Sequence, residues 1–137
     1  MAKLDLSTRR ERLREIHEAM GALLNEFMGR EPLLKAYLSY APRTCGSAGC
    51  HCRRGEPHAA WIMRIQKGRA AQSHSVSREA YERLKPPAEA YRQFRSAARR
   101  WKKLAREAEQ VLRDVEALRS LDAQAALEEE RRDGRTE

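Results

Sequence analysis

One short segment, residues 45–58, contains all three cysteines of the 137-residue chain and two of its four histidines. Three thiolates and one imidazole are the ligands of a closed, tetrahedral structural zinc site. Cys45, Cys50, Cys52 and His58 are therefore the predicted ligands of one structural Zn²⁺ ion. The remaining parts of the chain are organised before and after this segment.

The cysteines are separated by four residues and then by one, unlike the two-residue spacing of common zinc sites. Three alternatives therefore stay open: His74 as the fourth ligand, free thiols in a polar loop, or a redox-active or nucleophilic cysteine. The last is the least favoured, because no base or orienting group accompanies the thiols. His51 is crowded between two ligands. Flexible glycines are expected to curve the loop at positive φ: Gly46, Gly49 and Gly55.

Composition limits what the rest of the chain can do. With 41% hydrophobic and 35% charged residues, the core must be small, and a structural metal would support it. No apolar run approaches the roughly 20 residues that cross a bilayer, and the first residues do not resemble a signal peptide. Reduced cysteines predict a cytoplasmic protein. The net charge of +8 predicts attraction to polyanions, unless the arginines merely reflect coding bias.

Apolar residues recur every three or four positions between residues 7 and 28, which predicts an amphipathic helix: Leu13, Ile16, Met20, Leu23 and Phe27. Ser7 or Thr8 is the expected N-cap.

Residues 32–43 fit a short helix or a strand, and the extended form is favoured. Alternating residues from 61 to 66, the Lys67-Gly68 turn and residues 69–76 predict a β-hairpin. Its basic end either is solvated or contacts phosphates: Arg64, Lys67 and Arg69.

Ser77 is expected to begin a helix that ends at Lys85, before Pro86 and Pro87, and a second helix is expected to start at Pro87. The second helix has a heptad pattern that predicts a coiled-coil seam: Phe94, Ala97, Trp101, Leu104, Ala108, Val111, Val115, Leu118, Asp122 and Ala125. We expect this helix to pair antiparallel with the first helix. Its extra length predicts a homodimer or a larger protein partner.

Basic residues occupy the opposite side of this last helix, and no acidic residue lies between Ala90 and Arg106. Because exposed coiled-coil faces usually mix charges, polyanion binding is favoured over a merely solvated face. The candidate nucleic-acid contacts are Arg53, Arg54, Arg64, Lys67, Arg69, Arg92, Arg95, Arg99, Lys102 and Arg106.

The predicted fold class is mainly α with a small β-hairpin, in which a zinc knuckle and the hairpin are inserted between long helices that form an antiparallel coiled coil. The predicted parts are an N-terminal amphipathic helix (1–30), the zinc knuckle and hairpin (31–77), a helical coiled-coil region (78–127) and a disordered tail (128–137).

Several short motifs resemble a family of small uncharacterised prokaryotic Cys/His-knuckle proteins, classed as a domain of unknown function and often encoded near transposases and mobile elements. The matching positions, within roughly residues 10–119, are Tyr40, Cys45-Gly46, Gly49-Cys50, Cys52, Gly55, His58, Trp61, Lys67-Gly68 and Tyr91 to Phe94. The resemblance implies a metal-binding knuckle between helices and a role related to nucleic acid. Ala59 and Ala60 stand where the family usually has aromatic residues.

The predicted function is that of a zinc-stabilised nucleic-acid-binding accessory protein, associated with DNA or RNA in a mobile-element or nucleoprotein complex. The alternative is a coiled-coil interaction subunit that docks a larger protein, such as a mobile-element enzyme, without touching nucleic acid. An enzyme is the least favoured class, because the sequence shows no carboxylate pair, phosphate-binding loop or nucleophile with its base.

Overall fold

The computed structural model describes residues 5–135; the ends of the predicted first and last parts, residues 1–4 and 136–137, lie outside this range. The elements in chain order are helix α1 (Leu6–Phe27), strand β1 (Tyr37–Tyr40), a 3₁₀ helix (His51–Arg54), strands β2 (Trp61–Lys67) and β3 (Ala70–Val76), helix α2 (Arg78–Arg119) and helix α3 (Ala123–Asp133). The protein is therefore mainly helical, as predicted, and the predicted hairpin is part of a small three-stranded antiparallel sheet.

The described residues form two compact units. The helical unit comprises residues 5–25 and 99–135, and the sheet unit comprises residues 26–98. No helix within residues 5–135 has the length and apolarity to cross a membrane.

The core of the helical unit is formed by α1 and the second half of α2. Ile16, Leu104 and Val111 are its buried side chains. Arg12 forms a two-pronged ion pair with Glu107, at 2.6 and 2.8 Å, and Arg9 lies 3.5 Å from Asp114. The two segments run antiparallel, because Arg9, the earlier of the two α1 residues, meets Asp114, the later of the two α2 residues. Partly buried apolar residues surround the core: Leu13, Ala19, Met20, Leu23, Ala108 and Val115.

The N-cap of α1 differs from the prediction. The Asp5 carboxylate accepts hydrogen bonds from the Thr8 N–H, at 2.8 Å, and from the Thr8 hydroxyl, at 2.9 Å. These bonds, the backbone one foremost, hold the pKa of Asp5 below its usual value. The expected caps, Ser7 and Thr8, instead lie inside the helix. Asp5 is the better cap because its carboxylate reaches the free N–H three residues later.

Helix α2 runs through the two prolines, so the predicted end at Lys85 is wrong. Its start is as expected, because the Ser77 hydroxyl accepts a hydrogen bond from the Ala80 N–H at 3.1 Å. Pro86 and Pro87 remove two helical N–H donors. Tertiary contacts of the sheet unit offset that loss: Ala88 is buried, and the Pro87 carbonyl accepts a hydrogen bond from the Leu34 N–H at 3.0 Å.

The last predicted helix is also interrupted. Helix α2 ends at Arg119, and Asp122 begins α3 by accepting a hydrogen bond from the Ala125 N–H at 3.0 Å. Asp122, the polar residue in the heptad pattern, is therefore an N-cap. Residues 128–133 belong to α3 and are helical rather than disordered. The residues of the predicted seam are at least partly buried from Phe94 to Val115, whereas Leu118 is exposed.

The sheet has the order β1-β2-β3, and both pairings are antiparallel. The predicted hairpin is confirmed: Lys67 pairs with Ala70 across a two-residue turn, and Gly68 adopts a φ of +62°. A positive φ at the first turn residue is typical of the type II′ hairpin turn, which favours glycine. The ambiguous segment before the cysteines contains β1, because Tyr37 to Tyr40 pair with the residues from Arg64 back to Trp61.

Candidate metal centre

The cysteine segment is a loop closed at its base by a continuation of the β1–β2 pairing. The N–H of Arg43 donates to the His58 carbonyl at 2.9 Å, and the N–H of His58 donates to the Arg43 carbonyl at 2.7 Å. This pair keeps the register set by Tyr40 and Trp61. His58 is therefore fixed at the loop's base by backbone hydrogen bonds, independently of its side chain.

Local turns orient the cysteines within the loop. Cys52 lies on the 3₁₀ helix and is only 2% exposed. Cys50 is the residue that directly precedes this helix. Gly55 ends this helix with a φ of +99°, a conformation that side chains with a Cβ rarely adopt. The expectation of positive φ is thus confirmed at Gly55. It is wrong at Gly46 and Gly49, because the loop turns there through ordinary backbone conformations.

The four predicted ligand atoms converge. Cys45 Sγ lies 3.5 Å from Cys52 Sγ, and Cys50 Sγ lies 3.1 Å from His58 Nε2. All four ligand atoms lie within 4.8 Å of one another. Zinc–sulfur bonds of about 2.3 Å and zinc–nitrogen bonds of about 2.0 Å in a tetrahedron would separate the ligand atoms by about 3.5–3.8 Å. Cys45, Cys50, Cys52 and His58 therefore lie close enough together to hold one metal ion.

The electrostatics of the loop also suit a cation. The Ser47 N–H, followed by His58 and Cys50, lowers the pKa of the Cys45 thiol to about 6. At Cys52 the Cys45 N–H, 3.3 Å from Sγ, stabilises the thiolate, yet burial and the neighbouring thiols raise the pKa overall. Adjacent thiolates repel one another, and a divalent cation removes that repulsion. Three soft sulfur ligands and one imidazole are the donor set that zinc favours.

The other two histidines near the site have different positions. The His51 ring is exposed and lies edge-on against the His58 ring, with centroids 5.0 Å apart. His74 lies on β3, paired with Met63, and is not a member of the convergent group. The geometry therefore favours His58 over His74 as the fourth ligand.

Sequence reasoning missed the contributions of Arg43 and Ser47. Arg43 closes the loop and Ser47 supports the Cys45 sulfur, in both cases through backbone groups. Backbone roles leave little mark on residue identity, and so no pattern in the sequence could have pointed to either residue.

The candidate nucleic-acid contacts all have exposed side chains, and none forms an ion pair with a carboxylate in the part of the chain from 5 to 135. Arg92 lies over the Tyr37 ring, 5.8 Å from its centroid, and Arg64 Nε donates to Ser73 Oγ at 3.4 Å. The sheet unit contains Arg53, Arg54, Arg64, Lys67, Arg69, Arg92 and Arg95, and the helical unit contains Arg99, Lys102 and Arg106.

Comparison with known proteins yields no relative: no family model, no curated protein and no solved structure matches this chain.

Proposed function

We propose that this chain is a zinc-stabilised nucleic-acid-binding accessory protein. The observation that carries the proposal is the set of ten exposed cationic side chains that lack carboxylate partners within residues 5–135. Cations on an ordinary solvated surface are usually interspersed with acidic residues. Between residues 32 and 77 only Glu56 is acidic, against seven basic residues: Lys35, Arg43, Arg53, Arg54, Arg64, Lys67 and Arg69.

The metal's proposed role is structural. Bound Zn²⁺ would neutralise the thiolates of Cys45, Cys50 and Cys52 and hold the loop closed. Arg53 and Arg54 follow Cys52 directly on the 3₁₀ helix, so the ligand that anchors this helix also orients two cations. Structural zinc in small modules contributes about 10–16 kcal/mol of apparent binding free energy, enough to decide whether such a loop is ordered.

Elemental analysis of the purified chain tests the metal, and the two candidate histidines supply a matched pair of variants. We expect about one zinc per chain. His58→Gln should lose stoichiometric zinc, because its Nε2 lies 3.1 Å from Cys50 Sγ, whereas His74→Gln should retain it. A wild-type chain without stoichiometric metal would refute the zinc site. Zinc lost only from His74→Gln would place the fourth ligand on β3.

Affinity for nucleic acid would come mainly from phosphate contacts. Each phosphate neutralised by Lys or Arg releases condensed counterions, which makes binding weaken as salt rises. Arg99, Lys102 and Arg106 recur every three or four residues on α2, a spacing that places them on one side of the helix. Contacts of this kind supply affinity without sequence preference.

Charge reversal of Arg95, Arg99 and Lys102 to Glu tests these contacts. If each residue contacts one phosphate of duplex DNA, the log–log salt slope should fall by about 2.7, at about 0.9 per contact. Binding should weaken to a similar extent for all sequences. The control, Arg10→Glu with Arg83→Glu and Arg131→Glu, changes net charge equally at other exposed positions. An unchanged slope in a folded triple variant would contradict the proposed contacts.

A second candidate function is that of an interaction subunit. Its supporting observation is the row of exposed leucines towards the end of the chain: Leu112, Leu118, Leu121 and Leu127. We propose that the antiparallel pairing of α1 with α2 has coiled-coil packing and that these leucines meet a second copy or a larger protein. The resemblance to proteins encoded near mobile elements suggests a mobile-element enzyme. If the charge-reversal experiment contradicts the proposed nucleic-acid contacts, this interaction function becomes the leading proposal.

A further inference from the structure

The outer half of the β2–β3 hairpin is unusually open. Every residue from 66 to 75 is exposed, and no acidic residue lies between Glu56 and Glu79. We call residues 64–75 the basic ribbon. Arg64, Lys67 and Arg69 give it positive charge, and β3 contributes small or uncharged side chains: Ala70, Ala71, Gln72, Ser73, His74 and Ser75. An isolated two-stranded ribbon is only marginally stable in water, so a surface that covers this one would also stabilise it.

The dimensions of the basic ribbon match one groove of a nucleic acid. Paired strands lie about 4.8 Å apart, and the small side chains of β3 add little width. The major groove of B-form DNA is about 12 Å wide and 8.5 Å deep, and it admits a two-stranded β-ribbon. From Arg64 to Lys67 the strand advances about 10 Å, more than the groove depth of about 8.5 Å, which is enough to reach the base edges.

We propose that the basic ribbon enters the major groove of duplex DNA, an inference that rests on the proposed nucleic-acid binding. Lys67 and Arg69 lie at the turn, and their exposed side chains form no ion pair with a carboxylate within residues 5–135. Both residue types recognise the guanine O6 and N7 acceptors in this groove. Gln66 Nε2 donates to the Gly68 carbonyl at 3.1 Å, so it supports the turn that presents these two cations.

Duplex RNA should not accept the basic ribbon in its major groove. The major groove of A-form RNA is deep and too narrow for side chains to read. Phosphate contacts from other basic residues would still bind RNA, because they depend on charge alone. The basic ribbon therefore adds affinity only for B-form DNA.

The experiment measures binding of the full, metal-loaded chain to a mixed-sequence DNA duplex and to the RNA duplex of the same sequence. The ribbon variant is Lys67→Glu with Arg69→Glu. The control, Lys35→Glu with Arg83→Glu, makes the same charge change at exposed positions of the sheet unit outside the ribbon. We expect the ribbon variant to lose at least tenfold more DNA affinity than the control, and to match the control on RNA. Replacing guanine by 7-deazaguanine, which lacks N7, should weaken wild-type binding several-fold and leave the ribbon variant unaffected.

Two failures are distinguishable. A wild-type chain that binds neither duplex even at low salt would refute the proposed function and, with it, the groove contact. Equal losses for ribbon and control variants on both duplexes would refute the groove contact alone, because binding by phosphate neutralisation would remain. Circular dichroism of each variant checks that the hairpin and helices are retained.

Discussion

The small core of the helical unit makes its stability sensitive to a single side chain. Ile16 is 1% exposed and packs with Leu104 and Val111. Ile16→Ala removes three carbons, each worth about 0.8 kcal/mol of lost burial, or about 2.4 kcal/mol together. The cavity left behind adds to this cost, so we expect a loss of about 3 kcal/mol, within the usual 2–5 kcal/mol for such substitutions. Domains typically have only about 5–15 kcal/mol of net stability.

Urea titration followed by circular dichroism measures this loss, and Leu24→Ala is its control. Leu24 lies on α1 in the same unit but is 42% exposed, so the same three carbons are removed from a side chain that already faces solvent. We expect the control to lose less than about 1 kcal/mol. Equal losses for the two variants, with unchanged urea dependence, would show that burial of Ile16 does not hold the helical unit together.

Two further predictions concern α2. Pro86→Ala should stabilise the chain by about 1–3 kcal/mol, because alanine restores an N–H donor inside the helix; a lower thermal midpoint would contradict this. Arg12 holds the pKa of Glu107 below its ordinary value of 4.5, so their pairing stabilises the folded chain above about pH 4.5 and is lost as pH falls through the lowered pKa. Glu107→Gln should therefore weaken the acid-side dependence of the thermal midpoint, whereas Glu109→Gln, an exposed neighbour, should leave it nearly unchanged.

The sequence was informative wherever the deciding interactions lie close together along the chain. The convergence of the four candidate ligands could be predicted because every cysteine and His58 fall within one short segment. The hairpin was predictable for the same reason, because alternating residues flank a turn at Gly68. The start of α2 was predictable from Ser77, since a side-chain cap acts over three residues.

The errors occur where local preference competes with long-range packing. Pro86 and Pro87 locally disfavour a helix, but buried Ala88 and the hydrogen bond from Leu34 stabilise α2 through them. The extended form favoured for residues 32–43 is confirmed at residues 37–40, although the pairing of this strand with β2 is something that its own residues could not specify. A different kind of error concerns Asp122. The heptad pattern placed it as a polar residue within one continuous helix, but it is the N-cap of the separate helix α3.

By itself, then, the sequence determined the composition of the candidate metal site, the hairpin and the two main helical segments, because short-range spacing and periodicity specify them. Tertiary structure alone decided that His58 joins the cysteines while His74 does not, because that choice depends on the Arg43–His58 pairing and on the register of β3. It also decided how far α2 extends and which cations remain without carboxylate partners in residues 5–135, because both depend on neighbours brought close by folding rather than by chain order.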